Sequence, residues 1–210
     1  MRALATDLSP EMLALAARKV TSAGLQDVVE LRLLGAAEVG SLLDEHGPGS
    51  FDGAYSSFGP LNGEPDLRPV AKALTGLVRS GGLVVVSVMN RVYPFEILWY
   101  LAHGHPRQAV RRWKGRARAG VSPTLAALVP TWYHSPRSFS RAFAPEFRPL
   151  RCRALPFLLP PPYLSHLWRR HPSLLGRLEP WEERLSDRWP FYALGDHFLL
   201  TLQRKKARRL

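Results

Sequence analysis

Apolar and polar positions follow two different periods along the first part of the chain. Ala3-Leu4-Ala5-Thr6-Asp7 is a short apolar run that ends in a carboxylate. Directly after it, Met12, Leu13, Leu15, Ala16 and Val20 recur at helical spacing. Ser9 is a good N-cap, Pro10 suits the first helical position, and Glu11 favours the positive end of the helix dipole. Gly24 is the expected stop. Val28–Leu34 reads as a strand, and Gly35-Ala36-Ala37-Glu38 leads into a short helix through Leu43. After the turn cluster Gly47-Pro48-Gly49-Ser50 comes a strand over Phe51–Phe58, then a helix over Asp66–Arg79. Ser80-Gly81-Gly82 is read as a turn into Leu83–Met89, a β-branched run suited to burial on both faces. Strands alternating with helices predict an α/β fold with a parallel, doubly wound sheet and helices on both faces.

That pattern stops near Asn90. Residues 91–135 are aromatic and basic and are predicted to be helical, with breaks near Gly104, Pro106, Gly120 and Pro123. Ser135-Pro136 opens a further helix through Ala144. Phe147–Leu155 and Gly195–Gln203 read as late strands, with one or two helices over Tyr163–Trp189. The expected organisation is residues 1–90 as the α/β half, 91–145 as a helical basic cap, and 146–210 as strands and helices completing the same domain.

Composition sharpens this in three ways. The length of 210 residues fits one domain with a sizeable core. The net charge of +12 is uneven: residues 1–90 carry −3 and residues 91–210 carry +15. Such an imbalance suits nucleic acid, an anionic membrane or an acidic substrate, but also an arginine-rich background. Cys152 is the single cysteine, so no disulfide forms within the chain, which fits a reducing, cytoplasmic setting. No apolar run approaches the roughly 18 residues of a membrane span, and Asp7 and Glu11 interrupt any signal-peptide pattern.

Three segments in order carry a family resemblance. Asp7-Leu8-Ser9-Pro10-Glu11-Met12-Leu13 is similar to the segment that follows the first motif of class I S-adenosylmethionine-dependent methyltransferases, of the type 11-like kind. Phe51-Asp52-Gly53-Ala54-Tyr55-Ser56-Ser57-Phe58-Gly59 resembles their fourth-strand motif, and Leu77-Val78-Arg79-Ser80-Gly81-Gly82-Leu83-Val84-Val85 their fifth. The likeness covers roughly residues 3–90; the regions at Phe147 and His197–Leu200 resemble the sixth and seventh strands more loosely. It implies a Rossmann-like, mostly parallel sheet and S-adenosyl-L-methionine as cofactor. It also implies that Asp7 takes the ribose hydroxyls, a task suited to a carboxylate that can accept two donors. Leu8 is implied to pack on the adenine, and Ser56, Ser57 and Phe58 to meet the methionine part. In the loop after the next strand the family often has an acid where Ala36 stands; the contact then falls to Glu38 or to the backbone at Ala37. The family's first strand and glycine-rich loop have no counterpart here. The expectation is therefore an amino-terminally truncated fold with a gap in the middle of its sheet, and a helical basic insert after the fifth strand.

Other residues stay open. Asn90, Tyr133 and His134 are candidate substrate contacts, with His134 also a candidate base or simply part of an aromatic cluster beside Trp132. His103, His105, His134, His166, His171 and His197 show no metal-ligand spacing, so no metal is expected. Arg107, Arg111, Arg112, Lys114, Arg116 and Arg118, interleaved with Trp99, Tyr100 and Trp113, read as a cap for an acidic or amphipathic substrate, a lipid-facing helix, an RNA-binding face or a solvated surface. A small-molecule substrate is expected, because Ser56-Ser57-Phe58-Gly59 stands where nucleic-acid methyltransferases carry Asn-Pro-Pro-Tyr. The competing readings are a non-catalytic remnant or partner subunit of this fold and a basic RNA- or membrane-binding module.

Overall fold

The computed structural model describes residues 2–57, 59–122, 125–161, 164 and 166–206. Strand β1 (Ala3–Asp7) feeds helix α1 (Pro10–Ser22), capped as its sequence predicts: Ser9 Oγ accepts from the Met12 N–H at 3.2 Å. Strand β2 (Val29–Leu33) returns parallel to β1, pairing Ala3 with Val29 and Asp7 with Leu33. A 3-10 turn over Ala36–Ser41 and the short α2 (Leu42–His46) lead to β3 (Phe51–Ser56). Helix α3 (Arg68–Leu77) is followed without a separate turn by β4 (Val78–Met89), parallel to β3. Ser80-Gly81-Gly82, expected to be a turn, lies inside β4. The register passes from Phe51 opposite Val78 to Gly53 opposite Leu83, so Arg79–Gly82 form a bulge. The close approach explains two glycines. A Cβ on Gly53 would sit 2.5 Å from the Leu83 carbonyl oxygen, and one on Gly82 would sit 2.6 Å from that of Asp52.

The segment after β4 corrects one expectation. It begins helically, with α4 (Pro94–Ala102), α5 (Pro106–Ala109) and a 3-10 turn over Arg111–Lys114. It then forms an antiparallel hairpin, β5 (Arg116–Ser122) with β6 (Leu125–Trp132), where helix was expected. Val121, Val129 and Thr131 and the aromatic Trp132 favour a pleated ribbon over a helix. The expected break at Pro123 lies outside the described residues. Helix α6 (Pro136–Phe143) starts at its predicted cap, with Ser135 Oγ accepting from the Ser138 N–H at 3.1 Å. Strand β7 (Phe147–Leu155), helices α7 (His166–Arg170) and α8 (Pro172–Leu185), and strand β8 (His197–Arg204) complete the chain.

Two sheets share this frame. One holds β1 and β2; the other runs β3-β4-β8-β7, with β8 antiparallel to both neighbours. A two-stranded hairpin, β5-β6, stands apart. The core lies on one face of the four-stranded sheet. There Val84, Val86 and Val88 of β4 and Phe198, Leu200 and Leu202 of β8 meet Val70 and Ala71 of α3 and Phe139 and Phe143 of α6. The alternation along β8, with every second residue buried, follows from the period of two in a strand. The other face is more open: Tyr55 and Leu83 remain exposed. The break between β1 and β3 falls where the sequence places the gap in the sheet. Helix α1 has no buried residue, and Leu8, Met12 and Leu15 stay exposed beside that break.

Candidate functional site

The carboxyl ends of β1, β2, β3 and β4 bring together most of the residues singled out from the sequence. In open α/β sheets this edge is where ligands bind. Asp7 closes β1, and its Oδ1 accepts from the Ser9 N–H at 2.8 Å. Among the described residues, no donor engages Asp7 Oδ2. Leu8, 69% exposed, lies against the loop after β2, where a Cβ on Gly35 would come within 3.0 Å of its Cδ2. The Gly35 N–H donates to Glu38 Oε2 at 3.0 Å. Glu38 thus spends one oxygen on fixing its own loop. Ala36 packs against the core and Ala37 is exposed. An apolar side chain, a tight loop and a carboxylate with a free oxygen therefore sit side by side.

Ser56 ends β3 opposite Val86, and Ser57 follows it, half-buried. Phe58, the third residue predicted there, lies outside the described residues. Past it, the Gly59 N–H donates to the Ser87 carbonyl at 3.2 Å. Asn62, only 2% exposed, then ties three elements together. Its Oδ1 accepts from the Met89 N–H at 2.8 Å, and its Nδ2 donates to the Trp132 carbonyl at 2.6 Å. Sequence reasoning missed Asn62; the one signal is an amide side chain in the Gly59-Pro60-Leu61-Asn62 turn.

Asn90 follows β4 and forms an isolated parallel bridge with His134, so the structure joins two of the three predicted substrate residues. The Arg91 N–H donates to the His134 carbonyl at 3.0 Å. Asn90 Oδ1 accepts from the Arg91 N–H at 2.9 Å, while Asn90 Nδ2 and His134 Nε2 are both buried without a partner among the described residues. Burial lowers the His134 pKa from its ordinary value, so the ring is neutral near pH 7. Its ring also stands edge-on to Phe139, 5.9 Å between centroids. The third residue, Tyr133, is buried, and burial raises its pKa. Its ring lies 5.3 Å from the Arg112 guanidinium carbon.

Arg112 does not share the exposed surface of Arg107 and Lys114. It is 6% exposed and donates to Glu96 Oε2 at 2.5 Å and to Asp196 Oδ1 at 2.6 Å. Arg111 also reaches Glu96, at 3.2 Å. Burial opposes the Arg112 charge, yet Asp196 and Glu96 outweigh it and raise its pKa. Burial likewise pushes against ionised Asp196, but the His197 hydrogen bond and Arg112 keep its carboxyl below the ordinary range. This knot pins the insert to the start of β8 and to the Asn90 carbonyl, 3.3 Å from Arg112 Nη1. Its one trace in the sequence is that Glu96 is the last acid before Glu146. Burial pushes the Cys152 thiol up to about 12, so it is a packed side chain and no nucleophile. Among the described residues, no cluster of metal-ligating side chains exists. No described helix is long and apolar enough to cross a membrane. An open groove of about 300 Å³ between α3 and α6, beside Arg68, Lys72 and Phe143, is lined by none of the predicted residues.

No family model matches the sequence, and no curated protein does. Solved structures match its fold. One is an S-adenosylmethionine-dependent methyltransferase from Clostridium acetobutylicum, 11% identical with a TM-score of 0.59 over 98% of this chain and 76% of its own. Another is the geranyl diphosphate C-methyltransferase from Streptomyces coelicolor, 15% identical with a TM-score of 0.54 over 97% of this chain and 65% of its own. A third is the cyclase SpnF, 12% identical with a TM-score of 0.55 over 99% of this chain and 67% of its own. The chain has the Rossmann-like α/β fold of S-adenosylmethionine-dependent methyltransferases.

Proposed function

We propose that the chain binds S-adenosyl-L-methionine at the carboxyl ends of β1, β2 and β3 and supports methyl transfer to a small-molecule acceptor lying beside Asn90 and His134. One observation carries the reading. Asp7, with Oδ2 free, closes a parallel strand next to exposed Leu8, which lies on the Gly35 loop. That trio fits an adenosine: a carboxylate for vicinal hydroxyls and an apolar side chain for a flat ring. Ser56 and Ser57 are the polar groups available toward the methionine part. Ala36 leaves no acid for the adenine amino group, and Glu38 is already engaged by Gly35.

When bound, the cofactor supplies an electrophilic methyl on a sulfonium. The chain's own part is alignment and proton handling. Asn90 Nδ2 has an unused donor, and neutral His134 Nε2 can accept a proton from the acceptor's nucleophilic atom as the new bond forms. The geranyl diphosphate enzyme has an amphipathic, acidic substrate by name, and a basic insert suits a substrate of that class here. A cytoplasmic location belongs to the same reading.

A non-catalytic role is the competing reading, favoured by the break between β1 and β3 and by Ala36. The shared fold with a cyclase also shows that fold alone leaves the reaction open. Calorimetric titration with S-adenosylhomocysteine decides. The chain, alone or extended upstream in frame, is expected to bind in the micromolar range, and Asp7→Ala is expected to weaken binding at least tenfold, about 1.4 kcal/mol. Absence of binding to either folded form would establish the non-catalytic reading.

A further inference from the structure

Apart from Glu96, helix α4 is made of apolar and aromatic residues, a composition that normally belongs to a helix buried all round. Its inward side is satisfied. Tyr93 before it and Glu96 within it are buried against Arg112, and Phe95, Trp99 and His103 stack in a column along one flank. Its outer ridge is not: Leu98 is 67% exposed and Leu101, one turn on, is 50% exposed. Trp113 is also half exposed, in the 3-10 turn whose Arg111 lies 5.4 Å over the Tyr100 ring of α4. Exposed cations lie on the elements next to α4. Arg107 and Lys114 follow on α5 and the same turn, and the edge contact of Trp99 with His166 brings in Arg169 and Arg170 of α7. No aspartate or glutamate occurs between Glu96 and Glu146.

We propose that this surface of the insert seats on an anionic lipid interface. The leucines and Trp113 would enter the headgroup boundary while Arg107, Lys114, Arg169 and Arg170 meet lipid phosphates. Aliphatic side chains at an exposed ridge decide between partners. An RNA phosphodiester backbone has no use for Leu98 and Leu101, and RNA binding relies on aromatic faces that stack on bases. A bilayer interface uses aliphatic, indole and cationic groups together. Charge complementarity selects anionic over neutral lipid. Arg112 takes no part, being spent on Glu96 and Asp196.

Vesicle sedimentation reads this without any methyl transfer, so its outcome is separate from that of the cofactor titration. The chain is expected to co-sediment with phosphatidylglycerol–phosphatidylcholine vesicles and to remain in solution with pure phosphatidylcholine. Leu98→Ser with Leu101→Ser is expected to lower the partition coefficient at least about tenfold, with circular dichroism unchanged because both residues lie at the surface. Arg107→Ala with Lys114→Ala is expected to lower it by a similar factor, and raising salt to weaken the unaltered chain as well. Brominated lipid is expected to quench tryptophan emission, and Trp113→Phe to remove most of that quenching. Equal binding by the leucine variant, no binding to anionic vesicles, or tighter binding to a single-stranded RNA oligonucleotide that ignores the leucines would overturn the proposal.

Discussion

His134 shows how much a single side chain's setting depends on residues far away in sequence. Next to Trp132 and Tyr133 it reads as a base, a substrate contact or one more ring in an aromatic cluster. The structure gives it both an edge contact with Phe139 and a buried Nε2 with no partner, held beside Asn90 by the bridge to the end of β4. Burial depresses its pKa, so the sign is fixed: the neutral, proton-accepting form persists below the ordinary histidine value of about 6.5. A two-dimensional NMR titration is expected to place its midpoint below that value. A midpoint above about 6.5 for His134 would contradict the desolvated setting that the structure gives its ring. Asp7 was legible from its position at a strand end. Asn62 and Asp196 were not, because their partners, Met89 and Trp132 for one and Arg112 for the other, are separated from them by many residues.

At the scale of elements, the knot of Glu96, Arg112 and Asp196 joins α4, the turn after α5 and the start of β8. Replacing a buried ion pair outright can be neutral, but removing one partner leaves charge uncompensated. Arg112→Met strands two buried carboxylates and is expected to cost about 3–5 kcal/mol, read as a lower urea midpoint. The acid response has a definite direction. The folded-state pKa of Asp196 is depressed, so its stabilisation is present above about pH 4 and is lost as pH falls through the folded value. Melting temperature is therefore expected to drop more steeply from pH 5 to pH 3 in the unaltered chain than in Asp196→Asn. Helices were legible where caps mark them, as at Ser9-Pro10 and Ser135-Pro136. The β5-β6 hairpin was not. Arg116-Ala117-Arg118-Ala119 alternates over only four residues and Leu125-Ala126-Ala127-Leu128-Val129 does not alternate, and strand pairing, unlike a helix, is completed only by a partner segment.

For the whole molecule, the two sheets are unequally supported. The four-stranded sheet buries Val84, Val86, Phe198 and Leu200 beneath α3 and α6, whereas α1 buries none of its residues and β1 pairs with β2 alone. Local stability follows buried apolar contact. Amide exchange over residues 2–33 is expected to be far faster than over β4 and β8, and S-adenosylhomocysteine is expected to slow it. Uniform protection across both sheets would mean that the β1–α1–β2 unit draws support from contacts other than those described.

The sequence by itself determined the α/β class, the order of strands and helices through Met89, the caps, and the position of Asp7, because each rests on local periodicity and on residues within a turn of one another. Only the tertiary structure decided that Arg112 is buried and Leu98 exposed, that Asn90 and His134 are neighbours, and that the β1-β2 and β3-β4-β8-β7 sheets stand apart. Burial and strand pairing are relations between distant segments, and neither charge nor periodicity in one segment fixes what another brings against it.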